Sequence, residues 1–311
     1  VDRAEQLLAA LILEAALGYP QALHRRLPHP VVGIGMMITA LDQRWNKASR
    51  GTNPLLARLP GIATLAMLIM VSASLGLILE HLLFGWTGAG LVILLATTGF
   101  AQKSLHDHVA AVFHPLAGGD LPPARGALSM IVGRDTQSLD EQGIAAAATE
   151  SLAESFCDGI VAPAFWFLLA GLPGLLAFKA ISTADSLIGH MDERYRYFGW
   201  ASARADDVLN FIPARLAGIL LCMAGAGGWR IMWRDAGKHL SPNAGWPEAA
   251  MAGALNIRLG GGAAYDGEWI ERALLGKGPR PKEQDLGRAL TIYRRACLLL
   301  WFIAGGLAWA L

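Results

Sequence analysis

From residue 135 to residue 178 the chain has no lysine, arginine or histidine, although six carboxylates stand there: Asp135, Asp140, Glu141, Glu150, Glu154 and Asp158. Acids without a local cation, running straight into an apolar segment, call for a positive partner from elsewhere. Charge is scarce throughout, at 16% of residues against 54% hydrophobic, with a mean hydropathy of +0.39. A soluble domain carries about 25% charged residues, so the balance excludes an ordinary soluble protein and leaves a membrane enzyme or a transporter. A formal net charge of +1 gives no basic face for nucleic acid. Cysteine is nearly missing: Cys157, Cys222 and Cys297 are far apart in apolar surroundings, so no disulfide framework or zinc spacing exists. There is no GxxxxGK[ST] phosphate loop, no GxGxxG, no GxSxG elbow and no HExxH, and no repeat of fixed period.

What is present is a series of apolar segments. Residues 4–18 form an apolar helix shorter than a crossing, which needs roughly 17–25 residues, with Glu14 inside it. Only Arg3 precedes this run and no small-residue cleavage site follows, so a secretory signal peptide is not expected there. The basic stretch 24–58 reads as cytoplasmic. Segments 61–79 and 82–101 read as a helical hairpin turning at 85–90. Segment 159–178 is cut by Pro163 and by Gly171-Leu172-Pro173-Gly174, and 208–229 by Pro213 and Arg215, while 296–311 is a final apolar helix. The loop 230–295 holds eleven Lys and Arg and belongs on the basic side. The two interrupted segments therefore behave alike, both crossing or both re-entrant, and the visible breaks favour re-entrance. The expectation is an all-α polytopic integral membrane protein with about four to six apolar helices, some broken or re-entrant, joined by helical cytoplasmic loops. It forms one membrane-embedded catalytic domain over 1–311 with core motifs at 129–215 and 241–269.

Read as a helix capped by Asp135 or Ser138 and ended by Gly159, residues 140–158 put Glu150, Glu154 and Asp158 at i, i+4 and i+8 on one stripe. Like charges at that spacing repel by roughly 0.2–0.5 kcal/mol per pair, a cost that a bound Mg²⁺ or an arginine removes. Oxygen-only ligands suit Mg²⁺; a solvated acidic face has the same spacing. Arg134, in VGRDT, is a phosphate or carboxylate clamp or a surface partner of Asp135. Asp185 is a lone acid among hydroxyls or a helix cap. Arg204, Asp207 and Asn210 lie within two turns, where Arg204 and Asp207 also suit a plain i,i+3 bridge. Ser241-Pro242-Asn243 reads as a turn or a ligand contact. Tyr195, Tyr197, Phe198 and Trp200 make an interfacial belt or a stacking wall.

These residues also occur as long ordered motifs: IVGRDT, the ES-x-AE-x-x-x-DG-x-x-AP-x-FW pattern at 150–166, KA-x-x-T-x-DS-x-x-G at 179–189, FGWASARADDVLN-x-IPARL at 198–216, and SPN-x-G-x-P-x-AA-x-AGAL at 241–255. Together they resemble the CobD/CbiB family, the adenosylcobinamide-phosphate synthases of cobalamin biosynthesis. The likeness extends from HPVVGIG at 29–35 to the loop before the last helix. It implies an inner-membrane, ATP- and Mg²⁺-dependent ligase facing the cytoplasm, which joins adenosylcobyric acid to (R)-1-aminopropan-2-ol or its O-phosphate. On that expectation Glu150, Glu154 and Asp158 hold Mg²⁺, with Glu154, Asp158 and Asp207 catalytic. Arg134, Asp135, Asp185, Arg204, Asn210, Ser241 and Asn243 bind substrate or phosphate. The partners implied are the corrinoid, the amine and membrane lipid, with a homo-oligomer or contact with other cobalamin-pathway membrane enzymes. A transporter or membrane sensor sharing the fold is the alternative. Where the family usually reads AEN and NT, this chain has Ala153-Glu154-Ser155 and Ser182-Thr183, a hydroxyl in place of each Asn.

Overall fold

The computed structural model describes residues 1–19, 29–47, 53–265 and 267–310. Residues 24–28 and 48–52 of the basic stretch 24–58 lie outside the described residues. The chain divides into two compact units. The first comprises Val1–Phe100, Ala162–Asn210 and Leu307–Leu311, and the second Ala101–Val161 and Phe211–Gly306.

In the first unit, α1 (Arg3–Leu17) opens on a capping box in which Asp2 and Glu5 each accept the other's backbone N–H. Helix α2 (Pro30–Trp45) starts with Pro30 at its first turn and the His29 ring accepting the Val31 N–H. Helix α3 (Pro54–Leu82) begins at Asn53, whose side chain accepts the Leu55 N–H. At 29 residues it is roughly 43 Å long. It leaves Met70, Val71, Leu75, Leu77 and Ile78 exposed, as a lipid-facing surface requires. The turn after it falls at Leu83 and Phe84, earlier than the expected 85–90, because Gly85 already starts α4 (Gly85–Thr97). With 13 residues α4 reaches only about 20 Å, short of the hydrocarbon core.

Helix α8 (Ala162–Ile188, numbered in chain order with the helices below) is broken at Gly171, which has φ 65° and ψ −149°. The break frees backbone donors, and the Glu80 carboxylate of α3 accepts the Leu172 N–H at 2.8 Å. A Cβ at Gly171 would stand 2.0 Å from that carboxylate oxygen, so glycine is required twice, by its φ and by the close approach. Ile38, Leu41, Leu68, Ala180, Ala184, Ile188 and Phe198 form the core of this unit, which α9 (Trp200–Leu209) completes.

The second unit holds α5 (Gln102–Ala117), α6 (Leu121–Leu128), α7 (Glu141–Phe156), α10 (Phe211–Ala224), α11 (Trp229–Asp235), α12 (Gly245–Leu255) and all but the last residues of α13 (Glu283–Ala310). Asp140, rather than Asp135 or Ser138, caps α7 by accepting the Gly143 N–H at 2.7 Å, and Arg280 pairs with the same carboxylate. Gly159 does not end this helix. A π-helical turn at Cys157–Val161 carries it on into α8, because no glycine-type left-handed stop forms there. Tyr293 packs edge-on to Phe156 and donates to the Gln102 carbonyl, fastening α13 to α5 and α7.

The expectation of an all-helical chain needs correction. The basic loop contains four strands of three residues: β1 (Arg258–Gly260), β2 (Ala263–Tyr265), β3 (Glu268–Ile270) and β4 (Leu274–Gly276). Antiparallel β1 pairs with β4 and β2 with β3, so one hairpin nests inside the other. Asp235 is fully buried, pairs with Arg234 and Lys238, and accepts the Gly276 N–H at 2.8 Å, tying β4 to α11. Among the described residues, three helices are long and apolar enough to cross a membrane, or four when α9 and α10 count as one broken span.

Candidate functional site

The second unit contains a cavity of about 290 Å³ lined by charged side chains. Its back wall is α7. Alanine and glycine allow neighbours to close around this helix so tightly that Glu150, 2% exposed, is buried with them. A buried carboxylate needs partners, and Glu150 has three. Arg134 donates to Oε2 at 2.5 Å, Arg272 to the same oxygen at 3.0 Å, and the Gly260 backbone to Oε1 at 2.7 Å. The positive partner missing from 135–178 is thus supplied from both flanks of that stretch. Arg134 stands in the loop before α7 rather than at a helix N-terminus. Its loop is held by Ser151, which donates to the Ile131 carbonyl.

Arg272 reaches on to a second buried acid. Glu248, 1% exposed, projects from α12 with Oε2 3.8 Å from Arg272 Nη2 and Oε1 3.6 Å from His239 Nε2. Both are ion-pair distances too long for hydrogen bonds, and Oε2 accepts no hydrogen bond. Burial first, then the neighbouring Glu150 and Glu154, push its carboxyl well above the usual range, opposed by Arg272 and Arg134. The Ser241 N–H donates to His239 Nδ1 at 3.0 Å, and Arg272 Nη2 lies 3.3 Å from Nε2, so the ring stands between Arg272 and Glu248. Burial and the Arg272 charge lower the His239 pKa, so the ring is neutral. Glu154 and Tyr265 complete the charged and polar lining. Asp135 shapes the rim: its carboxylate accepts the Gly267 N–H and its own N–H donates to the Ala264 carbonyl, stapling the β2–β3 hairpin beside the cavity.

A model of the CobD/Cbib protein family matches residues 7–293. The chain belongs to the CobD/CbiB family. A "Cobalamin biosynthesis protein CobD" of Rhodobacter capsulatus is 48% identical over 307 residues, covering 97% of this chain and 96% of the relative. The proteins of the same name from Sinorhizobium fredii and Rhizobium meliloti are 44% and 42% identical, over 94% and 95% of this chain and 93% and 94% of their own sequences, respectively. No solved structure matches the chain.

In this CobD/CbiB chain the structure brings together Arg134, Glu150 and Glu154 of the residues singled out from sequence. Asp158 lies in the π-helical turn, whose extra residue per turn shifts it off the stripe, and it is not part of the cavity lining. Among the described residues no three His, Cys, Asp or Glu side chains converge to hold a metal ion. Glu150 already accepts from two guanidiniums and an amide, so the carboxylate trio does not fit a preformed Mg²⁺ site. Ser241 Oγ accepts the Asn243 and Ala244 N–H groups, and Asn243 accepts from Arg215, which is turn and capping geometry. Asp185, Arg204, Asp207 and Asn210 belong to the first unit. There Arg204 bridges to Asp207 at 3.0 Å and Asn210 donates to Asp206. Of the aromatic run, Phe198 is in the core and Tyr195 packs against that core, while Arg58 covers Trp200 and Arg196 covers Tyr197. Glu248, His239 and Arg272 were missed. The signal available for Glu248 was its place as the one ionisable residue in the apolar run 244–255.

Proposed function

We propose that this chain is a ligase of cobalamin biosynthesis that forms an amide between adenosylcobyric acid and (R)-1-aminopropan-2-ol or its O-phosphate, driven by ATP. Mg²⁺ enters as Mg-ATP, and the enzyme works in the bacterial inner membrane with its site toward the cytoplasm. The observation that carries this reading is the pair Arg134 and Arg272, held on the buried Glu150 at the wall of a small polar cavity in a CobD/CbiB chain. A carboxylate oxygen is a poor leaving group, and ATP converts the acid to an acyl phosphate, a mixed anhydride whose phosphate departs readily. Fixed guanidiniums stabilise the charge on the transferring and departing phosphate, and Glu150 keeps both oriented without reorganisation during reaction. The cavity admits a phosphate or a small amine. The corrin ring is far larger, so it stays outside and presents only its carboxylate arm. Glu154, exposed at the rim, is placed to meet the polar ends of the bound substrates.

Purified protein incubated with adenosylcobyric acid, aminopropanol phosphate and Mg-ATP is expected to yield a corrinoid heavier by the amine less one water. E154Q is expected to abolish this product while remaining folded. Unchanged turnover in E154Q removes Glu154 from the site, and flux of corrinoid across sealed vesicles without product removes the ligase reading.

A further inference from the structure

We infer that Glu248 receives the amine in this cavity, holding its ammonium and taking its proton as the amide bond forms. This rests on the ligase reading above. Two carboxylates are buried in the site and their partners are unequally shared. Glu150 takes two arginines and a backbone donor. Glu248 is at least as buried, yet its Oε2 accepts no hydrogen bond. A carboxyl oxygen left unsatisfied deep in a protein carries the cost of its lost hydration with nothing to offset it. It is therefore explained by a partner that arrives later, and the partner chemistry that suits a carboxyl is a cationic hydrogen-bond donor. The cavity of about 290 Å³ fits a small primary ammonium carrying a hydroxyl or phosphate, the latter facing the arginines.

The groups facing Glu248 make it responsive to that ligand. Glu150 and Glu154 come from α7, Arg134 from the loop before it, His239 from the turn before α12, and Arg272 from the segment before β4. Without ligand, burial and the two acids favour a protonated carboxyl. An ammonium within hydrogen-bonding distance reverses that balance and leaves a carboxylate. When the ammonium gives up a proton to become the nucleophilic amine its positive charge disappears, and the proton is again favoured on Glu248. One proton passes from the ammonium to Glu248, and the freed lone pair bonds the acyl carbon. The bond from that carbon to the phosphate oxygen breaks, and phosphate leaves with the electron pair and with the second proton shed by nitrogen.

The test separates activation of the acid from capture of the amine. Hydroxylamine, already uncharged at neutral pH, intercepts the activated acid as a hydroxamate without needing a base. Wild-type protein with adenosylcobyric acid and Mg-ATP is expected to form both the hydroxamate and, with aminopropanol phosphate, the amide. In E248Q the amide rate is expected to fall about 10²-fold or more, while hydroxamate formation persists and alkaline pH restores the amide as the amine deprotonates in solution. E248D, one methylene shorter, is expected to be slowed yet to keep the wild-type pH profile, and it carries the test if E248Q does not fold. Amide formation by E248Q at the wild-type rate overturns the inference. So does loss of the hydroxamate together with the amide in a variant that unfolds at the wild-type temperature. A wild type that forms neither product overturns the ligase reading itself.

Discussion

At the scale of single residues, the cavity is a problem of dividing two cations among buried acids. Glu150 fixes both arginines, and its removal leaves them together, about one-seventh exposed, with only the longer 3.8 Å contact of Arg272 to Glu248 in its place. Breaking a buried pair by deleting one partner costs about 3–5 kcal/mol. Glu150→Gln is therefore expected to lower stability by about that amount, read as a drop in the unfolding midpoint of the purified protein, with Arg272→Lys losing less. An unchanged midpoint for Glu150→Gln would mean that water, not the arginines, compensates the carboxylate. The residue-level need was legible in the sequence: a long stretch with acids and no cations demanded a positive partner. Its identity was not, because Arg272 lies 122 residues beyond Glu150 and no local rule links them. Glu248 was harder still. An acid inside an alanine-rich helix looks like an ordinary surface position until the burial of the whole helix is known.

At the scale of elements, periodicity and length found the helices, and hydrogen-bond detail decided their ends. The break at Gly171 was visible from the Gly-Leu-Pro-Gly string. That Glu80 answers it from another helix was not, since the contact joins residues 92 apart. The acidic stripe failed at Asp158 because a π-helical turn has no sequence signature as clear as a proline or a cap. The four strands escaped because three-residue strands in a glycine-rich loop carry too few residues for alternation to show. Asp235 is what anchors that loop. Its carboxyl is held well below the ordinary carboxylate range, chiefly by Arg234, with Lys238 and the Gly276 N–H assisting. A depressed carboxyl contributes stability above its unfolded pKa of about 3.9 and loses it as pH falls toward the folded value. Asp235→Asn is thus expected to cost about 2–3 kcal/mol at neutral pH. The gap to wild type should narrow as the medium is taken below pH of about 4, and a gap constant across that range would show that the charge is not what holds β4.

At the scale of the whole molecule, the shared cavity constrains the membrane path. Arg272 in the basic loop pairs with Glu150 in α7, so the segment up to α7 and the loop after α11 meet in one compartment. The number of crossings between them is therefore even. Either α8 and the α9–α10 pair both cross, placing the residues between them on the other side of the membrane, or both turn back and leave those residues on the same side. The breaks at Gly171 and at Asn210 favour the second path. Cysteine labelling decides it, because Cys157, Cys222 and Cys297 are all buried and give little background. Ser202 is fully buried and unsuitable as a probe, whereas Ser186 is exposed and Met191 is 86% exposed. Leu240, 83% exposed next to His239, marks the side of the cavity. With the site toward the cytoplasm as proposed, the re-entrant path has Ser186→Cys, Met191→Cys and Leu240→Cys all resist a membrane-impermeant maleimide in intact cells and all react in inverted vesicles. Reaction of the first two in intact cells, with Leu240→Cys still protected, would instead establish two further crossings between the site's two halves.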